Sequence, residues 1–172
     1  MSTPAYISIK GEVQGHITQG AFTPDSVGNI FQQGHEDQIL VQEIEHDIAT
    51  PTDPQTGQPT GLRVHKPFIF TATLNKATPM LYQALATGEK LPEVEVHWYR
   101  TSSDARQEYF FTTQLEDATI VNISTVLPHA QDPDSGPYTQ LVKVAMSYRK
   151  ITWTHNICGT EGSDDWRKLK EG

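Results

Sequence analysis

Cysteine is nearly absent from this chain: Cys158 is the only one among 172 residues. No intrachain disulfide and no cysteine metal cluster can therefore form. As a nucleophile Cys158 needs a base beside it, and His155 stands three residues away, an offset that in an extended strand points to the opposite face. Long apolar runs are missing too. Nothing approaches the ~20 residues of a membrane-spanning helix, so membrane insertion is not expected. Basic residues are in deficit, 13 Lys and Arg against 21 Asp and Glu, for a net charge of −8. Such a surface repels polyanions and argues against nucleic acid as a partner. The pairs Arg149-Lys150 and Arg167-Lys168 read as solvated surface. Met1-Ser2-Thr3-Pro4 lacks the basic and apolar segments of a secretory signal. The expectation is assembly in the cytoplasm and, if the protein is exported, release without a cleaved signal peptide.

Catalytic signatures are also missing. The seven histidines, at 16, 35, 46, 65, 97, 129 and 155, show none of the spacing of a metal site, so no metal or other cofactor is expected. Ser8, Ser102, Ser103, Ser124 and Ser147 lie in no G-x-S-x-G elbow. Glu43 with Glu45, Glu93 with Glu95, and Glu116 with Asp117 are acidic pairs. A glycosidase dyad should sit in an aromatic cleft, and solvated strand faces explain these pairs more simply. Most of the aromatic residues (Tyr6, Phe68, Phe70, Trp98, Tyr109, Phe111, Tyr148, Trp153) fall at strand alternation, as core residues do. No enzyme is indicated.

What the chain does contain is ordinary globular material, 36% hydrophobic and 20% charged, enough for one domain with a sizeable core. One stretch reads as a convincing helix, Thr78 to Gly88. Thr78 is expected to cap it, Pro79 suits its first position, and Gly88 ends it. Met80, Leu81, Ala84 and Leu85 make one apolar face. So short a helix must pack on something. Phe68–Leu74 before it and Val94–Tyr99 after it read as strands. So do Tyr6–Lys10, Gln38–Ile48, Tyr109–Leu115, Ala118–Val126, Val142–Tyr148 and Ile151–Ile157. Trp98 and Tyr109 are expected in a hairpin across a polar turn, Thr101–Arg106. Gly15–Gly34 reads as an irregular excursion or weak hairpin anchored by Phe22, Ile30 and Phe31. Within 38–48, the face Ile39, Val41, Glu43, Glu45, Asp47 begins apolar and ends acidic, as if the strand leaves the core. Thr50–Gly61, dense in turn residues, reads as a long exposed loop, and His129–Pro137 as a second exposed turn. The fold class is mainly β: a compact closed β-barrel of about eight antiparallel strands with one short helix at its side. Closure spares the sheet its exposed edges. The barrel domain is placed at 1–158 and a polar tail at 159–172, mobile unless Trp166 and Leu169 dock.

In order and spacing these features resemble the haemolysin-coregulated protein (Hcp) family, whose members form the inner tube of the type VI secretion system. His65-Lys66-Pro67-Phe68 leads into a strand. Asn75-Lys76-Ala77-Thr78-Pro79 leads into a short helix, with Leu81 and Leu85 on its face, that Gly88 ends. Val96-His97-Trp98-Tyr99-Arg100, Tyr109-Phe110-Phe111 and Tyr148-Arg149-Lys150-Ile151-Thr152-Trp153 follow. The likeness takes in Gly11, Gly15 and the 50–61 loop, so it spans nearly the whole chain. It implies a barrel with one lateral helix that assembles into six-membered rings. It also implies that the rings stack into a hollow tube, that sheath, spike and baseplate proteins are partners, and that small effectors ride in the lumen.

Two features of the residues suit such a subunit. The 50–61 loop, with Pro51, Asp53, Thr56, Gly57 and Gly61, is a candidate for ring stacking. The acidic residues Glu43, Glu45 and Asp47 are candidates for a face bordering the lumen or the outer surface. The competing readings are a monomeric β-barrel module for a small molecule or glycan, and a hydrolase built on an acidic pair.

Overall fold

Alternating β-branched, aromatic and polar residues favour extended chain over most of the sequence, and strands dominate the computed structural model. It describes residues 4–28, 34–135 and 139–166. Ile30, Phe31, the end of the 129–137 turn, and Arg167, Lys168 and Leu169 lie outside the described residues. In chain order the elements are β1 (Ala5–Gly11), β2 (Gly15–His16), α1 (Pro24–Val27), β3 (Ile39–Glu45), β4 (Ile48–Ala49) and β5 (Val64–His65). Then come β6 (Phe68–Thr73), α2 (Thr78–Thr87), β7 (Lys90–Thr101), β8 (Gln107–Val126), β9 (Leu141–Ser147), β10 (Lys150–His155) and β11 (Thr160–Asp165).

The sheet closes on itself. Its order runs β8-β7-β1-β3-β6-β9, and β9 pairs back onto β8. All these pairings are antiparallel. β8 makes the closure possible by its length. Its first part pairs with β7, and residues 119–126 pair with β9. β10 continues along β8 at residues 111–116, and β11 adds beyond it, so the sheet overhangs the barrel. The two strands expected at 109–115 and 118–126 are therefore one. Asp117 bends it at φ 52°, and Arg149 fixes the bend. The Arg149 Nε donates to Asp117 Oδ2 at 2.8 Å and its backbone N–H to the Glu116 carbonyl at 3.1 Å. This is the point at which β9 hands over to β10.

Ile7, Ile9, Phe68, Phe70, Val94, Val96, Leu115, Val144, Met146 and Ile151 fill the barrel interior with side chains. α2 lays Leu81 and Ala84 onto this core, with Met80 and Leu85 at the margin, as the spacing predicts. Its start differs from expectation. Ala77, not Thr78, occupies the cap position, and Asn75 supplies the side-chain acceptor, its Oδ1 taking the Ala77 N–H at 2.9 Å. A short amide reaching a backbone N–H two residues on is the favoured local bond of asparagine. Thr78 is instead buried, its hydroxyl accepting the Asn75 N–H at 3.2 Å. Gly88 ends the helix at φ 68°.

The excursion after β2 packs back on the barrel. Tyr6 points away from the interior yet is only 1% exposed, because Phe22 meets it edge-on and His35 stacks on it at 3.8 Å. Thr18 joins the wrap by accepting the Ile9 N–H at 3.2 Å.

The expected tail is partly sheet. Thr160–Asp165 forms β11, and Trp166 packs against the core with its Nε1–H donated to the Tyr148 carbonyl.

Candidate functional site

Residues 46–66 leave the barrel as an arm. β4 and β5 pair at its root, Ile48 with His65 and Ala49 with Val64. Further out Thr60 N–H donates to Pro51 O and Asp53 N–H to Gln58 O, both at 2.8 Å. At the tip Gly57 N–H reaches Asp53 O at 2.8 Å, and Asp53 Oδ1 takes the Gln55 N–H at 2.8 Å. Gly57 holds φ 73°, a left-handed conformation that favours glycine. The stretch expected to be a loop is thus an internally bonded hairpin. Pro51, Thr56, Gly57 and Gly61 are exposed along it and Asp53 is half-buried. Leu62 and Val64 stand 66% and 45% exposed on the same arm, which gives it apolar as well as polar contact surface.

A polar network pins the root. Arg63 Nε and Nη2 donate to the two oxygens of Asp164 at 2.5 and 2.8 Å. His65, 1% exposed at its side chain, places Nε2 at 2.7 Å from the same carboxylate and Nδ1 at 2.7 Å from the Tyr148 hydroxyl. His46, on the other limb of the arm, places Nε2 at 2.7 Å from that hydroxyl. Trp166 stacks on His65 at 5.3 Å. Burial holds the Tyr148 hydroxyl well above the ordinary phenol range, and the Asp164 charge adds to the effect. Burial also pushes His46 below the ordinary imidazole value, with His65 contributing in the same direction.

None of these six residues was singled out as a site residue from the sequence. They come together from separations of 83, 99 and 102 residues, which no local pattern displays. The one available signal was Trp166, a large aromatic in a polar tail.

The acidic row is not a single row. A bulge in β3 between Val41 and Glu43 changes the phase of the strand. Val41 faces the core, Glu43 and Glu45 face solvent, and Ile44 between them packs against the core. A bulge, not a departure from the core, explains the change from apolar to acidic. Asp47 lies past the strand end and pairs with Lys66 at 3.1 Å. Lys66 and Pro67 are exposed between β5 and β6, and Phe68 is buried.

The other singled-out residues are structural. Trp98 and Trp153 pack at the core margin, and Trp98 Nε1 donates to Thr113 Oγ1 at 3.0 Å. Glu93 faces Glu116 across β7 and β8, flanked by Lys10 at 3.5 Å and Lys150 at 4.0 Å. Such alternating surface charge on neighbouring strands contributes little to stability. Cys158 lies in the turn between β10 and β11, not in a strand, and its backbone N–H donates to His155 Nδ1 at 3.1 Å. Among the described residues no cluster of His, Cys, Asp or Glu could hold a metal ion. Nor, among them, is any helix long and apolar enough to cross a membrane.

Comparison with known proteins agrees with this architecture. A sequence model of the family described as "Type VI secretion system effector, Hcp" matches residues 6–155. The chain is 56% identical over 172 residues to the "Major exported protein" of Pseudomonas aeruginosa, covering all of both chains. A solved Hcp protein superposes with a TM-score of 0.93 at 54% identity, over 98% of this chain and 100% of the other. A secreted Hcp protein from Pseudomonas aeruginosa gives a TM-score of 0.82 at 48% identity, over 97% and 100%. A full-length relative at this identity, joined to a closed barrel of the same shape, places the chain in the Hcp family of secreted type VI tube proteins.

Proposed function

We propose that the chain is the repeating subunit of a type VI inner tube, assembling with copies of itself into stacked six-membered rings. Sheath contraction expels the tube, spike and baseplate proteins meet it at its ends, and effectors travel in its lumen. Assembly takes place in the cytoplasm, and release needs no cleaved signal. The observation that carries this reading is the arm. A hairpin bonded along its length and locked at its root is a rigid projection, costly to keep on a monomer whose barrel interior is filled by its own side chains. On a ring subunit the same projection reaches a neighbouring copy, and a head-to-tail contact needs two unlike surfaces of this kind. Pro51, Asp53, Thr56, Gly57 and Gly61 lie on the reaching part. Glu43 and Glu45, exposed side by side on β3, are the acidic contribution to the lumen or the outer surface, with Asp47 neutralised by Lys66.

Replacing Pro51–Gly61 by a tight turn tests the reading. The expected outcome is a folded barrel whose rings no longer stack. Undiminished tube formation by that variant contradicts it. Labelling of a Glu45→Cys variant, before and after assembly, assigns the acidic face. Blocked labelling puts it at a contact, and labelling blocked only to bulky reagents puts it in the lumen.

A further inference from the structure

The barrel closes without its last strand. The ring of pairings is complete where β9 returns to β8, and β11 adds outside it, against β10. The matched family region also stops at residue 155, before β11 begins. Nor does β11 bring apolar side chains to the core. Its sequence, Thr160-Glu161-Gly162-Ser163-Asp164-Asp165, contains none, and its first four positions are exposed. The one residue it buries is Asp164, 9% exposed. Burying a carboxylate is costly unless its oxygens are engaged, and what engages them is the arm.

Arg63 closes a two-point fork on Asp164, with Nε at 2.5 Å from Oδ2 and Nη2 at 2.8 Å from Oδ1. The same Nη2 donates to the Asp165 carbonyl at 3.2 Å. Asp164 is thus an acceptor toward His65 as well, so His65 carries its proton on Nε2, 2.7 Å from Oδ2. Arg63 and His65 are alternate residues of one extended limb, so they share a face, and Leu62 and Val64 share the opposite one. The exposures follow that alternation: Leu62 is 66% exposed and Val64 45%, against 6% for His65. The fork and the imidazole bond therefore fix how the limb is turned, with its two apolar side chains outward.

We propose that β11 is a brace for assembly: Asp164 is a positioning residue that holds the arm in one direction and turns Leu62 and Val64 toward a second copy of the chain. The inference rests on the reading of the arm as the stacking element. A second copy is the partner because the chain carries a matching surface at its other end. The arm leaves the barrel where β3 stops and β6 starts. Beyond the far end of β6 stands Leu74, and across β9 from it β8 ends at Val126 and Leu127. These three are 37%, 47% and 69% exposed. Two unlike apolar surfaces at opposite ends of one subunit are what a head-to-tail contact requires.

Without the Asp164 clamp the arm keeps its β4–β5 pairing and stays a hairpin, but its direction is no longer fixed. The apparent affinity of a binding element falls by the fraction of time it spends in the competent arrangement. An arm correctly aimed about a tenth of the time requires about tenfold more protein to stack.

Asp164→Asn in the full chain keeps the shape and removes one of the two oxygens that the fork needs. Sedimentation velocity over a concentration series reads stacking, and hydrogen exchange compares residues 62–66 with β7. The expected result is rings of parental mass that need about tenfold more protein to stack, with faster exchange at 62–66 and β7 unchanged. Arg63→Gln breaks the same fork from the arm side and should behave alike. Leu127→Asp damages the receiving end instead and should also stack poorly. Mixing separates positioning from a general defect. Asp164→Asn rings keep a sound receiving end, and Leu127→Asp rings keep a sound arm. The mixture should therefore form pairs of rings, about twelve subunits in mass, at concentrations where neither variant stacks alone. Asp164→Asn and Arg63→Gln rings that stack as the parent does, or a mixture that forms no pairs, overturn the proposal. Leu127→Asp rings that stack normally overturn the assignment of the receiving end. Parental rings that never stack refute the stacking reading itself, a failure visible before any variant is compared, and the brace falls with it.

Discussion

Gly11 offers a sharp test of how the barrel holds its helix. A Cβ built there would stand 2.0 Å from Glu89 Oε2 and 3.1 Å from Ile17 Cδ1. The carboxylate cannot stay where it is, and it has a task. Glu89, 7% exposed just after α2, accepts the Val13 N–H at 3.3 Å and the Gln14 N–H at 3.1 Å. Gln14 then donates its Nε2–H to Met80 O at 3.0 Å, so the β1–β2 turn is fastened to both ends of the helix. In Gly11→Ala the side chain of Glu89 swings away and both N–H bonds are lost. Two hydrogen bonds to a charged acceptor, at about 1.5 kcal/mol each on the low side, put the cost near 3 kcal/mol. For a domain of this size that is a fall of about 6 to 12 °C in Tm. Thermal melts at equal protein concentration supply the measurement, because assembly shifts apparent stability. Double-mutant arithmetic isolates the cause. In a Glu89→Ala background the added methyl no longer displaces a bonded carboxylate and presses only on Ile17 Cδ1 at 3.1 Å, so Gly11→Ala should cost clearly less there than in the parent. Strictly additive losses, or a Gly11→Ala variant as stable as the parent, refute the reasoning.

Two further outcomes follow from the same geometry. Leu81→Ala removes the fully buried anchor of α2 and should destabilise the fold by about 3 kcal/mol, read by denaturant midpoint with an unchanged slope. Asp164→Ala deprives the His65 Nε2–H and the Arg63 fork of this acceptor. Trypsin should then cleave after Arg63 faster than in the parent, with the barrel still intact by circular dichroism.

The closed barrel, its lateral helix and the alternating core were legible because each is written in local periodicity. Leu81 and Ala84 at helical spacing, and Val94 and Val96 at strand spacing, point to the core in the structure as they do in the sequence. Features that depend on distant partners were not legible. The bend at Asp117 exists because Arg149 faces it, so 109–126 read as two strands where there is one. The bulge after Val41 left no mark, since Glu43 continues a period-2 pattern that the backbone breaks. The hairpin character of 50–61 was hidden by its turn-rich composition. Its anchor was hidden by distance, as His46, His65, Tyr148 and Asp164 meet only once β9, β10 and β11 are in place.

The central claim is that this barrel builds a tube from copies of itself, and the native mass of the purified chain, with negative-stain images of the same fraction, tests it most directly. The account predicts a mass of about six subunits and ring-shaped particles with a central opening. A monomer that persists at high protein concentration, with no rings in the images, would contradict it.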